Sequence, residues 1–312
     1  MKKQNILGIF LLFITAIIWG ASFVTSVKGL EILPPYVFNA YRYFFSFLFI
    51  LCVALVFDYR SANRRANGAD KPATAAGTEW RSALLGGGAC GAFLFAASAF
   101  QQTGLQHTQA TKAAFITTLY IVIVPVICVF LRKKVARVAW LAAAISVVGL
   151  YLLSIKEGLR IYPPDGLVFI GAFFWAAHIM SCGYFALKSD PLKLSTVQFL
   201  VTALCFVVFA LLFEPLPTLD SLRSTLYYII FSGPIACGIG FTFQIIAQRH
   251  TSETLASLIL STESVFAAVT GYFVLSEKLT PRELTGCILI FVAVLMTQIP
   301  WDRIAKTRTN FL

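Results

Sequence analysis

Residues Arg249–Gln298, RHTSETLASLILSTESVFAAVTGYFVLSEKLTPRELTGCILIFVAVLMTQ, hold two apolar runs, Thr251–Leu275 and Glu283–Ile299, on either side of the polar turn SEKLTPRE. At about 1.5 Å rise per residue, each run is long enough to cross a hydrocarbon core ~30 Å thick. Glu263 falls near the middle of the first run. An acid at that depth costs a few kcal/mol on insertion scales, so it is expected to face other helices or water rather than lipid. Around it stand Ala256, Ser257, Ser261, Ser264, Ala267, Ala268 and Gly271. Small residues three and four apart let helices approach closely where lipid supplies no hydrophobic drive to bring them together. A closely packed helix with an inward acid is where function is sought first.

The rest of the chain repeats that character. It is 312 residues long, 58% apolar and only 12% charged, with a mean hydropathy of +0.80, which excludes an ordinary soluble domain. Ten apolar segments follow one another: Ile6–Val27, Tyr36–Phe57, Ala83–Gln102, Ala113–Leu131, Val138–Ile155, Gly166–Leu187, Thr196–Phe213, Thr225–Ala247, Thr251–Leu275 and Glu283–Ile299. They are continuous rather than alternating, which excludes a membrane β-barrel. The start MKKQN before an apolar run has the form of a signal peptide, with Gly20-Ala21-Ser22 as a cleavage site. Removing it would break the repeat described below, so the first segment is retained.

The net charge of +11 reads as topology rather than as affinity for nucleic acid. With the N-terminus inside, seventeen Lys and Arg residues fall on inner connections and termini, seven fall outside, and Arg42 stays within a helix. That bias predicts a protein with both termini cytoplasmic in the inner, or cytoplasmic, membrane. All seven cysteines lie within apolar segments, with no metal-binding spacing, and are expected to be reduced. The connection Asp58–Trp80 is the long one and is expected to be mobile.

A shift of 143 residues pairs Gln101 with Gln244, His107 with His250, Thr108 with Thr251, Thr111 with Thr254, Ala113 with Ala256, Ile116 with Ile259, Phe130 with Phe273 and Leu141 with Leu284. The first segment pairs with the sixth at another offset, through Trp19 with Trp175 and Ala21 with Ala177. Residues 1–157 and 158–312 are therefore expected to be two copies of one unit. Five spans per copy is odd, so the second copy must enter from the opposite side. Inverted repeats build carriers whose halves exchange inward-open and outward-open shapes around a midplane site. The fold expected is all-α: a polytopic membrane protein of ten transmembrane helices in two inverted five-helix repeats.

WGASF in the first segment, Arg42 in the second, TKAAFITTLYIVIVP in the fourth and TSETLASLILSTESVFAAVTGYFVLSEKLTPRELTGCILI in the ninth and tenth resemble the EamA branch of the drug/metabolite transporter superfamily. The resemblance spans both copies. The second is the more typical, with Glu263 and Ser276-Glu277-Lys278 in their usual settings. The first departs at Arg132-Lys133-Lys134, where many members are acidic. The resemblance implies a secondary carrier of small polar metabolites, commonly an exporter of amino acids or related compounds, with its pathway between the halves. Nucleotide-sugar and other larger-solute carriers of the superfamily are the alternative. That reading calls for more cavity cations than Arg42 and Lys112.

The candidate pathway residues are Trp19, Arg42, Gln101, Tyr120, Trp175, His178, Gln244 and Glu263. Glu263 is a candidate to carry a proton or hold a cationic group, against a structural acid bonded to a neighbouring helix. His178 is a second candidate proton carrier, against a neutral ring bonded to a carbonyl. Arg42 either holds an anionic group as a fixed fork, neutralises Glu263 or snorkels to the outer interface. Trp19 and Trp175 lie inside their segments rather than in interfacial belts, so they either line a cavity or pack. Tyr120 matches Glu263 in the first copy, and the two glutamines can donate and accept. Lys112 is expected at the outer mouth. Walker A, GxSxG and HExxH motifs are absent, so neither an enzyme nor a cofactor is expected. The expected partners are a small-molecule substrate and the bilayer, without nucleic acid, for a monomer or homodimer.

Overall fold

The computed structural model describes residues 3–66, 76–108, 110–155, 162–275 and 279–299. Ten helical spans in it are long and apolar enough to cross a membrane, and the described residues contain no strand. They are α1 (Lys3–Leu30), α2 (Pro35–Ala66), α3 (Ala76–Leu105), α4 (Ala110–Thr118 and Tyr120–Phe130), α5 (Arg137–Ser154), α6 (Pro163–Ala186), α7 (Pro191–Phe213), α8 (Leu219–Ile230, then Phe231–Ile239 and Gly240–Gln248), α9 (Glu253–Leu260 and Glu263–Leu275) and α10 (Pro281–Gln298). Proline opens α2, α6, α7 and α10, where its missing N–H would have had no helical partner. Helix α2 runs on to Ala66, shortening the long connection expected from the sequence. Residues 67–75, the midpoint between the two copies and Ser276-Glu277-Lys278 lie outside the described residues.

The repeat seen in sequence is also a repeat in space. Helix α1 packs on α8 and α9, while α6 packs on α3 and α4; α2 packs on α7, and α5 on α10. Exchanging each of the first five helices with its counterpart five later maps this set of neighbours onto itself. Matched residues share environments as well. Phe130 and Phe273 are 82% and 76% exposed, Leu141 and Leu284 are 53% and 52%, and Ala113 and Ala256 are buried. In lipid an exposed phenylalanine costs nothing, so the apolar residues face outward and the polar ones are gathered inside.

An offset of 156 residues continues from α1/α6 into α2/α7, where Asp58 matches Glu214. Each of these acids reaches the start of the opposite helix. Glu214 accepts from the backbone N–H groups of Tyr36 (3.0 Å) and Val37 (2.7 Å) at the start of α2. Asp58 pairs with Lys193 at the start of α7, 3.5 Å away. A carboxylate on a helix N-terminus satisfies orphan donors and meets the positive end of the dipole. Glu214→Ala is therefore expected to cost about 1–2 kcal/mol, read as a lower melting temperature in detergent. An unchanged melting temperature would mean that water serves those donors equally well.

Three helices are irregular. Helix α4 breaks at Leu119 and α9 at Ser261–Thr262, which are matched positions under the 143-residue shift. Helix α8 widens to a π-helix over Phe231–Ile239, around Pro234. Discontinuous helices at membrane depth are tolerated where they are buried in protein or line a cavity. These three surround the same space.

Candidate functional site

A cavity of about 90 Å³ lies between the two halves, walled by α1, α2, α3, α4, α6, α8 and α9. Its lower wall is made by Trp19, Tyr120, Trp175 and Glu263, at mid-helix. From there Ser22 and Ser26 on α1, and Ser98, Gln101 and Leu105 on α3, rise towards the α1–α2 and α3–α4 connections. Leu105 is shared with a wider hollow of about 360 Å³ at that face, which also borders Glu31 and Thr108. The space is therefore a funnel narrowing to the middle of the bundle. At about 10–15 Å³ per water site, it holds several waters or the reacting end of a small solute.

Glu263 is brought in by the break in α9, which makes it the first residue of the second half-helix. Tyr120 likewise opens the second half of α4, and its hydroxyl donates to Glu263 Oε1 at 3.3 Å. The two matched residues thus meet across the axis relating the halves. Arg42 reaches the cavity from α2. Its Nε donates to Cys237 Sγ at 3.0 Å, its Nη1 to Asn39 Oδ1 at 3.4 Å, and its guanidinium lies 5.5 Å from the Tyr43 ring centroid. Arg42 and Glu263 do not pair, and among the described residues neither has another ionic partner. One cavity therefore carries a guanidinium and a carboxyl group, neither of which has an ionic partner among the described residues.

The remaining wall is aromatic. Trp19 Nε1 donates to the Ala236 carbonyl at 2.9 Å, within the π-helical stretch of α8. Phe241 sits between the matched tryptophans, 4.7 Å from the Trp19 ring and 5.9 Å from Trp175 in a near-parallel stack. Its match in the first half is Ser98, whose hydroxyl is 2.7 Å from Tyr43 Oη. One side of the funnel is thus apolar and the other hydroxylic. Among the described residues, the indole N–H of Trp175 and the Gln102 Oε1 have no partner.

Six of the eight residues picked from the sequence line this cavity: Trp19, Arg42, Gln101, Tyr120, Trp175 and Glu263. His178 and Gln244 do not. His178 is buried behind Trp175 and Phe241, 3.2 Å from Gln198 Oε1 and 3.3 Å from Cys182 Sγ. Gln244 donates to Gln248 at 3.1 Å. Lys112 pairs with the buried Asp165 at the start of α6. Sequence reasoning missed Phe241, Ser98, Ser22 and Ser26. Among 29 phenylalanines only the repeat register could single out Phe241, and its match is a serine. Among the described residues, no cluster of His, Cys, Asp and Glu has metal-binding geometry.

The opposite end is drawn together by close contacts. A methyl on Gly8 would lie 2.9 Å from Thr251 Cγ2 and 3.0 Å from the Ala247 carbonyl, so α1 meets the α8–α9 connection directly. Gln248 Nε2 donates to the Ile179 carbonyl (2.9 Å) and Arg249 Nε to that of Ala186 (2.8 Å). Lys133, just past α4, pairs with Glu253 at the start of α9, 2.5 Å away. A second hollow of about 320 Å³ lies at this end, bordered by Lys133, Glu253 and Thr254, and it shares no lining residue with the Glu263 cavity, whereas the hollow at the α1–α2 face joins that cavity at Leu105.

A family model described as the EamA-like transporter family matches residues 6–155 and again residues 163–299. The chain is 27% identical over 287 residues to an uncharacterised transporter of Archaeoglobus fulgidus, covering 92% of this chain and 84% of that one. It is 21% identical over 293 residues to the uncharacterised transporter YoaV of Bacillus subtilis, covering 92% and 95%. One solved crystal structure superposes with a TM-score of 0.69 at 16% identity, covering 94% of this chain and 97% of the other, a likeness of fold alone.

Proposed function

The chain belongs to the EamA-like transporter family, and from that premise we propose that it carries a small zwitterionic metabolite of the amino-acid class across the cytoplasmic membrane by alternating access. The observation that supports this most is the presence in one small cavity of Arg42 and Glu263, neither with an ionic partner among the described residues. A solute bearing a carboxylate and an ammonium supplies both missing partners. Charge-assisted hydrogen bonds of that kind contribute about 1.5–3 kcal/mol each. The indoles of Trp19 and Trp175 and the ring of Phe241 offer an apolar surface for the solute's side chain. A nucleotide sugar fits less well: its phosphates call for several cations, and Lys112 is already paired with Asp165.

Export is the direction implied by the family resemblance, with both termini cytoplasmic and the funnel facing outward. Glu263 is the residue placed to exchange a proton for the solute's ammonium group, while His178 stands outside the cavity. The test is flux of amino acids and of their decarboxylated amines in proteoliposomes, with and without a pH gradient. Arg42→Gln is expected to cut zwitterion flux about 10–100-fold and to leave the amines within about threefold, since they present nothing to the guanidinium. Equal loss for both solute classes would assign Arg42 to the scaffold.

A further inference from the structure

We propose that His178, Cys182, Gln198 and Gln244, buried together beneath Trp175 and Phe241, form the wall of the solute pathway when the protein opens to the opposite face. This rests on the reading of the chain as an alternating-access carrier, and not on which solute it carries.

The assignment comes from the repeat register. Inverted halves open the other way by exchanging shapes, so a residue that lines the funnel now is replaced by its match. The 156-residue offset matches Ser22 with His178, Ser26 with Cys182 and Arg42 with Gln198; the 143-residue shift matches Gln101 with Gln244. All four first members line the funnel. All four second members have no exposed surface; His178 touches Gln198 and Cys182, and Gln244 on α8 joins α6 through Gln248, which bonds the Ile179 carbonyl.

A second observation points to the same residues. Among the described residues, Gln198 Nε2 and Gln244 Oε1 have no partner, and neither has Trp175 Nε1. A polar cluster kept only for packing satisfies its donors and acceptors. This one holds a spare amide donor, a spare amide acceptor and a spare indole donor, which is the surface a solute or its water would need. Between the cluster and the far face stand the Gln248–Ile179 and Arg249–Ala186 bonds and the Lys133–Glu253 pair.

The chemistry of the two faces then differs. Where the present funnel carries the Arg42 guanidinium, the other carries the neutral amide of Gln198. Tyr120 and Glu263 match each other and serve both states. A zwitterionic solute would keep its ammonium's partner at Glu263 throughout, and lose its carboxylate's partner at Arg42 as the protein turns over.

Cys182 gives a direct reading, because its match Ser26 lines the open funnel. The unmodified protein in right-side-out and inside-out vesicles would be treated with a membrane-impermeant anionic methanethiosulfonate, and the label at Cys182 quantified by peptide mass spectrometry. Ser26→Cys reports the opposite state. We expect Ser26→Cys to react from the α1–α2 face and Cys182 only from the α8–α9 face. Glu253→Gln, which removes the ion pair to Lys133 at the α8–α9 end, should raise the Cys182 rate several-fold and lower that of Ser26→Cys. Should Glu253→Gln fail to insert, the comparison of faces on the unmodified chain decides alone. Cys182 unreactive from both faces in a protein that conducts flux, or reactive from the same face as Ser26→Cys, overturns the proposal. Labelling of Cys182 from the α8–α9 face without any amino-acid flux would keep it and reject the solute class.

Discussion

Glu263→Gln is expected to yield a folded ten-helix protein whose zwitterion flux is reduced about 10–150-fold, the equivalent of one lost charge-assisted hydrogen bond. The substitution keeps the shape and leaves an oxygen to accept the Tyr120 hydroxyl that now donates to Oε1. What it removes is an ionisable group that has no cationic partner among the described residues. Losing an unbalanced charge inside a membrane bundle does not weaken folding, so the melting temperature in detergent should hold or rise. A structural acid would behave in the opposite way, with lower stability and intact flux. Tyr120→Phe, by contrast, removes one neutral donor and should slow flux only a few-fold. Well-inserted Glu263→Gln with unchanged flux would return the residue to the scaffold and leave the funnel without its anionic pole.

The membrane class and the repeat were legible because both rest on long-range pattern: ten unbroken apolar runs, and a register that holds across three helices. The breaks in α4 and α9 were not. Helix breaks are ordinarily read from proline or glycine, yet neither stands at Leu119 or Ser261–Thr262, and Pro125 lies within an unbroken segment. The cause is local hydroxyl chemistry. Thr118 Oγ1 donates to the Ala114 carbonyl, Ser261 Oγ to Leu258 and Thr262 Oγ1 to Ile259, at 2.6–2.7 Å. These hydroxyls occupy carbonyls of the ladder, and the backbone tightens to three-residue bonds at Leu119 and Thr262. Ser-Thr runs are common in membrane helices, so the run alone does not announce a break. That it recurs at matched positions, next to Tyr120 and Glu263, is the signal that could have been used.

Arg42 shows a different limit. Its depth in α2 suits either an inward fork or an outward snorkel, and only the neighbouring helix decides. A methyl on Gly233 of α8 would lie 2.7 Å from the Arg42 carbonyl, so α2 and α8 touch at that level. The side chain then finds Cys237 on α8 and the cavity rather than the interface. His178 and Gln244 lie on helices that also wall the cavity, but periodicity cannot say which of two matched faces is open. In this conformation the first half's face is.

The same closeness of helices makes Gly20→Ala the second large effect. A Cβ built at Gly20 would sit 2.6 Å from Phe266 Cβ, and 2.7 Å from both Ala267 N and the Glu263 carbonyl. Two of those three atoms are backbone, so no rotamer change relieves the clash; α9 itself must move, at the residue that carries the carboxyl. Overpacking of this kind costs about 1–3 kcal/mol. The displacement also shifts Glu263 relative to Tyr120 and the indoles, where a misplacement of about 1 Å can cost on the order of 100-fold in rate. Gly88→Ala is the matched control, because nothing lies within 4 Å of its added methyl; exchanging glycine for alanine within a helix should be neutral or stabilise by about 0.5–1 kcal/mol. Gly86→Ala should fall between, since its obstacles are the Phe185 and Leu194 side chains, which can give way. The expected order of melting temperature in detergent, and of flux, is Gly88→Ala above Gly86→Ala above Gly20→Ala. If Gly20→Ala were as stable and as active as the parent, α1 and α9 could not be in direct contact there, and the funnel would lack the tight floor that keeps its two faces from opening together.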